Sequence, residues 1–206
     1  GFAIWNDGFV SVSPYNQWVV TIFMLLFGVN FNLYYLLLIR RVRPVLKNTE
    51  LRCYGALLVV CTVVIMVNIY PLYHTFADSL RESAFQVASI VTTTGYATAD
   101  FNQWPGLSKG ILFLLMFVGA CAGSTAGGLK ISRVMLLFKS MRRELRRMLH
   151  PRSVGAVQME GKTVDDTTLN GVSVYFALYF AIFAVVFLIL CLEPFDLETN
   201  ITATAS

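Results

Sequence analysis

The stretch VTTTGYATADF, residues 91–101, lies between two strongly apolar segments of a 206-residue chain. Three consecutive threonines, a glycine and a tyrosine make a poor helix and a poor buried strand. So much backbone polarity beside such apolar neighbours requires a partner. Whether water can be that partner depends on what surrounds the stretch.

The surroundings are lipid. The chain is 56% hydrophobic and 14% charged, with a mean hydropathy of +0.65, too apolar for an ordinary soluble domain of this length. A hydrocarbon core of about 30 Å takes roughly 20 apolar residues per helix. Four segments qualify: 18–39, ending at Arg40 and Arg41; 51–70, stopping at Pro71; 107–138, too long and glycine-rich for one uninterrupted span; and 172–192, closed by Glu193 and Pro194. The first is too long for the apolar core of a cleavable signal. Cys53, Cys61, Cys121 and Cys191 lie in or beside these spans without metal-ligand spacing and read as small apolar residues.

Charge sets the orientation. Arg40, Arg41, Arg43, Lys47 and Arg52 stand against Glu50 alone between the first two spans, and Lys139, Arg142, Arg143, Arg146, Arg147 and Arg152 against Glu144 between the last two. Both loops are therefore cytoplasmic by the positive-inside rule. The outer segments carry Arg81 against Asp7, Asp78, Glu82, Asp100, Glu193, Asp196 and Glu198. That is either an acidic vestibule that concentrates cations or a set of ordinary solvated loops. The net charge of +4 follows from topology and gives no sign of nucleic-acid binding. Arg142 to Arg152 also suit anionic lipid or a cytosolic partner.

Residues 71–106 form a long outer connection, long enough to need structure of its own. Ser79 and Glu82 have capping-box spacing, and Leu80, Ala84, Val87, Ala88 and Val91 recur at helical spacing. The pattern predicts a helix over residues 79–90 of about 18 Å, half a bilayer. Backbone left open where such a helix stops is tolerated at membrane depth only inside protein or along a watery cavity. The helix C-terminus favours a cation there. Backbone carbonyls with threonine hydroxyls can replace the hydration shell of potassium, and a glycine allows the dihedrals that aim them. Thr92, Thr93, Thr94 and Gly95 are the candidate filter, with the ion at Thr93 and Thr94. A plain polar turn is the competing reading of the tetrad, and Asp100 either gathers cations or starts the next turn.

The third apolar segment contains GACAGSTAGGLK, residues 119–130. Gly119, Gly123, Gly127 and Gly128 each cost about 1 kcal/mol in a helix interior, and with Ser124 and Thr125 they predict an interrupted helix. Tight GxxxG helix packing is the bland alternative. The spacing excludes a P-loop. Lys130 is an intramembrane charge, which marks a pathway or a partner. The stretch reads as a pliable constriction below the carbonyl site. Asn30, Asn32 and Asn68 read as interhelical hydrogen-bonding residues, and Trp18 and Trp104 as interfacial anchors. His74 and His150 lack partners for acid–base or metal work, and no catalytic set is present in the sequence.

The motifs SIVTTTGYATADFNQWP (89–105) and GSTAGGLKISR (123–133), with FMLLFGVNFNLYY (23–35), resemble the potassium-translocating subunit of the Trk/Ktr/HKT superfamily, TrkH type. The resemblance implies an all-α membrane protein of helix–pore loop–helix repeats, each with a re-entrant half-helix, and an interrupted inner helix. It places the end of a second repeat at 1–39, with Gly1 as its filter glycine, a cytoplasmic loop at 40–50, a complete third repeat at 51–138, a basic cytoplasmic loop at 139–171 and the start of a fourth repeat at 172–206. A first repeat, fourth filter and fourth inner helix are not represented, which implies a partial chain.

It further implies potassium uptake across the cell membrane, alone or coupled to sodium or protons, gated by residues 119–130. A homodimer and a cytosolic nucleotide-binding regulatory ring are implied as partners, and no cofactor besides the transported K+. The rival readings are a secondary transporter with a broken-helix substrate site and a non-conducting structural fragment.

Overall fold

The computed structural model describes residues 8–150 and 155–205, in two compact units, Gly1–Ile131 and Ser132–Ser206. The first unit begins with α1 (Pro14–Phe27), started by Pro14 and by Ser13, whose hydroxyl accepts the Asn16 amide. It is followed by α2 (Phe31–Leu38), bent from α1 by 90°. The continuous inner helix expected over 18–39 is therefore broken at residues 28–30. Asn30, expected to join helices through its side chain, instead caps α2 by accepting the Asn32 amide at 2.9 Å.

Gly28 caps the C-terminus of α1 at a position where a larger side chain would collide with Tyr54. A Cβ there would lie 2.2 Å from the hydroxyl oxygen of Tyr54, which is 2% exposed and donates to the Leu25 carbonyl at 3.2 Å. Gly28→Ala is expected to destabilise the protein by about 1–3 kcal/mol through overpacking, read as a lower melting temperature in detergent. Adding Tyr54→Phe, which removes the nearest atom, should restore part of the loss. An unchanged melting temperature in Gly28→Ala would contradict this packing.

After the short α3 (Val42–Lys47) comes α4 (Thr49–Tyr73), capped by Asn48, which accepts the Leu51 amide at 2.7 Å. The helix passes through Pro71, where the sequence suggested a stop, and ends at His74 in the left-handed conformation. A proline this close to the end disturbs only the final turns. α5 (Phe76–Val91), a 3-10 turn at Phe101–Gln103 and α6 (Gly106–Phe117) follow. The Ser108 hydroxyl donates to Asn68 Oδ1 at 2.7 Å, so Asn68 does join α4 to α6. Asp100 accepts the Asn102 amide and starts the 3-10 turn.

α6 ends at Phe117, and α7 (Ile131–Leu149) resumes after a non-helical segment. The third apolar stretch is interrupted, as its glycines predict. α7 continues as helix through the basic residues up to Leu149.

In the second unit a hairpin, β1 (Gln158–Met159) and β2 (Lys162–Thr163), turns at Glu160 and Gly161, both with positive φ. α8 (Asp166–Leu190) starts six residues before Val172, and α9 (Leu197–Ala205) follows. Arg133 stacks 4.2 Å above the Tyr175 ring, and Arg143 pairs with Asp166 at 2.7 Å.

α4 and α8 are long and apolar enough to cross a membrane, the bent α1–α2 pair can form a third span, and little of α4 or α8 is covered within the chain. Apolar helices of this length with so little of their surface covered need lipid as their solvent. The four cysteines are free.

Candidate ion-conduction site

α5 is the spine of the site. Its sixteen residues carry Asp78, Arg81 and Glu82 and bury Ser79, Glu82, Ser83, Gln86 and Ser89, so it is wrapped by protein and not by lipid. It starts three residues before the predicted capping box. Thr75 is its N-cap, and Ser79 lies inside the helix, donating its hydroxyl to the Thr75 carbonyl at 2.9 Å. Glu82 serves a different purpose. At 4% exposure it accepts the Thr98 hydroxyl and pairs with Arg81, which also holds Asp78 at 2.7 Å.

Further up the helix, Gln86 donates to the Ala99 carbonyl at 3.4 Å and the Ser89 hydroxyl to the Tyr96 carbonyl at 2.6 Å. Side chains from three turns of α5 therefore pin residues 96–99 as the chain returns alongside the helix. From the other side the Phe9 amide donates to the Ala97 carbonyl at 2.9 Å, and the Phe9 ring packs on Tyr96 with centroids 4.7 Å apart. Gln86 and Ser89 have no role in the sequence reading, and Glu82 has only that of a helix cap and an outer acid. A carboxylate, an amide and a hydroxyl on the buried side of an apolar helix are the signal that could have found them.

Between spine and return strand lie the predicted filter residues. The amides of Thr92, Thr93 and Thr94 donate back to Ala88, Ile90 and Ser89 at 2.9–3.0 Å, and that of Gly95 to Ser89 at 3.4 Å. The hydroxyl of Thr92 donates to Ala88 and lies 2.7 Å from that of Thr94. The donors of this segment are thus spent inward. Among the described residues, no group donates to the carbonyls of Thr92, Thr93, Thr94 or Gly95. Thr93 and Gly95 have φ of +53° and +75°. For a β-branched threonine that conformation costs of order 1–3 kcal/mol and persists only where neighbours enforce it.

One such neighbour is the glycine-rich segment. The Gly127 amide donates to Thr93 Oγ1 at 2.8 Å. The segment is cinched at its base, where Gly119 donates to Leu129 at 2.7 Å and Ile131 to Ala120 at 3.2 Å. Gly123 and Gly128 take left-handed φ of +70° and +66°. The segment also completes the α1–α2 break: Cys121 donates to Gly28, Thr125 to Phe27, and the Phe31 amide to the Gly123 carbonyl, at 3.1–3.4 Å. Backbone opened by one broken helix is thereby paired with the loop of the other, as membrane depth requires. The Ser124 hydroxyl turns back onto Cys121, and the Lys130 ammonium folds onto the Ala126 carbonyl four residues away.

A cavity of about 490 Å³ joins these elements, with Thr92 and Thr94 at one side, Thr125 at another and apolar walls from Phe23, Met24 and Phe27 of α1. Gly1, the predicted filter glycine of the preceding repeat, lies outside the described residues. In the second unit, Lys139, Arg142, Arg143 and Arg146 line a basic groove of about 230 Å³ beside residues 155–158. The Arg143 guanidinium is held still more firmly in its charged form by its hydrogen bond to Asp166.

The family model described as TrkH, cation transport protein, matches residues 1–205. The Trk system potassium uptake protein TrkH of Salmonella typhimurium is 34% identical over 170 residues, 80% of this chain and 35% of that protein. TrkG of Escherichia coli is 33% identical over 95% of this chain and 42% of its own length. The crystal structure of the potassium transporter TrkH from Vibrio parahaemolyticus matches all of this chain and 45% of that one, with a TM-score of 0.91 at 29% identity. The chain thus spans less than half the length of these relatives, which are named as potassium uptake proteins or transporters and not as enzymes. It belongs to the TrkH family of cation transport proteins, multi-pass proteins of the cell membrane.

Proposed function

We propose that this segment supplies one complete pore loop to a potassium-uptake pathway, with the carbonyls of Thr92, Thr93, Thr94 and Gly95 and the threonine hydroxyls replacing water around the ion. The observation that carries this reading is the run of four carbonyls without a donor among the described residues, immediately after a protein-wrapped helix of sixteen residues. At membrane depth an unpaired carbonyl is costly, and a dehydrated monovalent cation removes that cost. The α5 C-terminus adds its partial negative charge. The selected ion is potassium, the one named for the relatives.

Residues 119–130 form the gate in this reading, because the Gly127 amide reaches from that loop to Thr93. Residues 51–138 act as one repeat, 1–39 as the end of the preceding one and 172–206 as the start of the next. The alternative of a transporter built on inverted halves fits less well. In the sequence, apolar segments 18–39 and 107–138 both lead into basic residues, which by the positive-inside rule gives them the same direction. A homodimer of the complete subunit and a cytosolic nucleotide-binding ring seated on the basic groove belong to the same proposal.

The test is ion uptake by the complete subunit in vesicles. The expected result is uptake that saturates with potassium and prefers it to sodium, while the 206-residue segment alone conducts poorly for want of the other filter loops. Equal uptake of both ions, or robust selective flux from the segment alone, would contradict the proposal.

A further inference from the structure

Glu50 sits in the first turn of α4, the lone acid in a basic cytoplasmic connection, yet it is only 5% exposed. Its side chain does not turn toward the nearby arginines. Oε1 accepts the backbone amide of Ala122 at 2.6 Å, across 72 residues of sequence. Ala122 stands between two of the residues that stitch the glycine-rich loop to the α1–α2 break, Cys121, which donates to Gly28, and Gly123, which accepts from Phe31. The carboxylate therefore grips the loop at its centre. It does so from the N-terminal turn of a helix, where negative charge is favoured. A buried carboxylate needs a donor, and a loop amide at membrane depth needs an acceptor, so each satisfies the other.

We infer that Glu50 is the positioning residue that holds the loop across the ion path, linking the start of α4 to the gate. The assignment rests on reading residues 119–130 as that gate. Among the described residues, the hydrogen bonds that tie the loop to the rest of the unit are otherwise backbone pairs at the α1–α2 break and those of the Thr93 and Thr125 hydroxyls, all neutral, while the Lys130 ammonium donates to Ala126 within the loop. The Glu50 contact is charge-assisted and comes from a separate helix. A shift of the α4 N-terminus therefore moves Ala122 directly.

The experiment uses the complete subunit, with hydrogen exchange of the peptide covering residues 119–128 and basal potassium flux in vesicles as paired readouts. Glu50→Ala is expected to speed exchange there by about tenfold and to raise basal flux. Glu50→Gln keeps a carbonyl oxygen that accepts the same amide and should return both readouts toward the parent. If Glu50→Ala does not fold, Glu50→Asp, whose shorter arm withdraws the oxygen while keeping the charge, takes its place. Unchanged exchange in the truncated variant, or equal loss in Glu50→Gln, overturns the assignment. Faster exchange with unchanged flux would leave the anchor standing and contradict the gate instead. Flux altered by Gly119→Ala alongside unchanged exchange in Glu50→Ala would do the reverse.

Discussion

Gly95→Ser is expected to lower the potassium-over-sodium preference of the complete subunit by about tenfold, measured as competing uptake of the two ions. Gly95 holds φ at +75°, where a side chain on an L-residue costs roughly 1–2 kcal/mol. Its amide reaches Ser89 at a weak 3.4 Å, so little else keeps the peptide plane in place. The cheapest relief is rotation of the adjoining peptides, which swings the Thr94 and Gly95 carbonyls off the ion. Smaller, more strongly hydrated sodium depends less on a ring of fixed oxygens. Gly161→Ser is the control: φ is +77° in the hairpin turn, and nothing lies near its Cβ position. It carries a similar local strain and should leave selectivity alone. Unchanged preference in Gly95→Ser would remove this segment from the coordination shell.

The second large effect is expected at Gly119, the base of the loop. A Cβ there would lie 2.2 Å from the Gly127 carbonyl oxygen and 3.3 Å from that of Leu129, both backbone atoms without a side-chain escape. Gly119→Ala must therefore push the two limbs of the loop apart, at a cost of about 1–3 kcal/mol. It draws Gly127 away from Thr93. Basal potassium flux should rise about tenfold while membrane abundance stays close to the parent. Gly127→Ala alone is predicted to be mild, since its Cβ would meet Thr93 Oγ1 at an ordinary 3.4 Å. The Gly127–Gly128 double alanine adds strain at Gly128, whose φ is +66°, and should alter flux more than abundance. A parallel fall of flux and abundance in these variants would assign the glycines to helix packing.

The re-entrant helix and the interrupted third span were legible because both leave local marks, an apolar period that runs out into threonines and four glycines within ten residues. What was misread depended on distant partners. Ser79 and Glu82 have the spacing of a cap, but the Glu82 carboxylate is taken by Thr98, sixteen residues on. The break after Phe27 carries little local signal beyond Gly28. Its open carbonyl receives the Thr125 amide and hydroxyl from 98 residues away. In sequence Glu50 is only the lone acid of a basic loop, because its partner, the Ala122 amide, lies 72 residues away. Lys130, an intramembrane charge read as marking a pathway or a partner, has the Ala126 carbonyl of its own loop as one partner. Local chemistry fixes where helices cannot continue, whereas the groups that satisfy the opened backbone come from other helices.

If the carbonyls of residues 92–95, which accept no hydrogen bond among the described residues, hold a dehydrated monovalent cation, a heavier ion of similar size should bind there. Crystals of the complete subunit grown with rubidium or thallium in place of potassium test it most directly, through anomalous scattering. The expected result is a peak within coordination distance of the Thr93 and Thr94 carbonyls. Anomalous density elsewhere in the protein, with that segment empty at saturating ion, would contradict it.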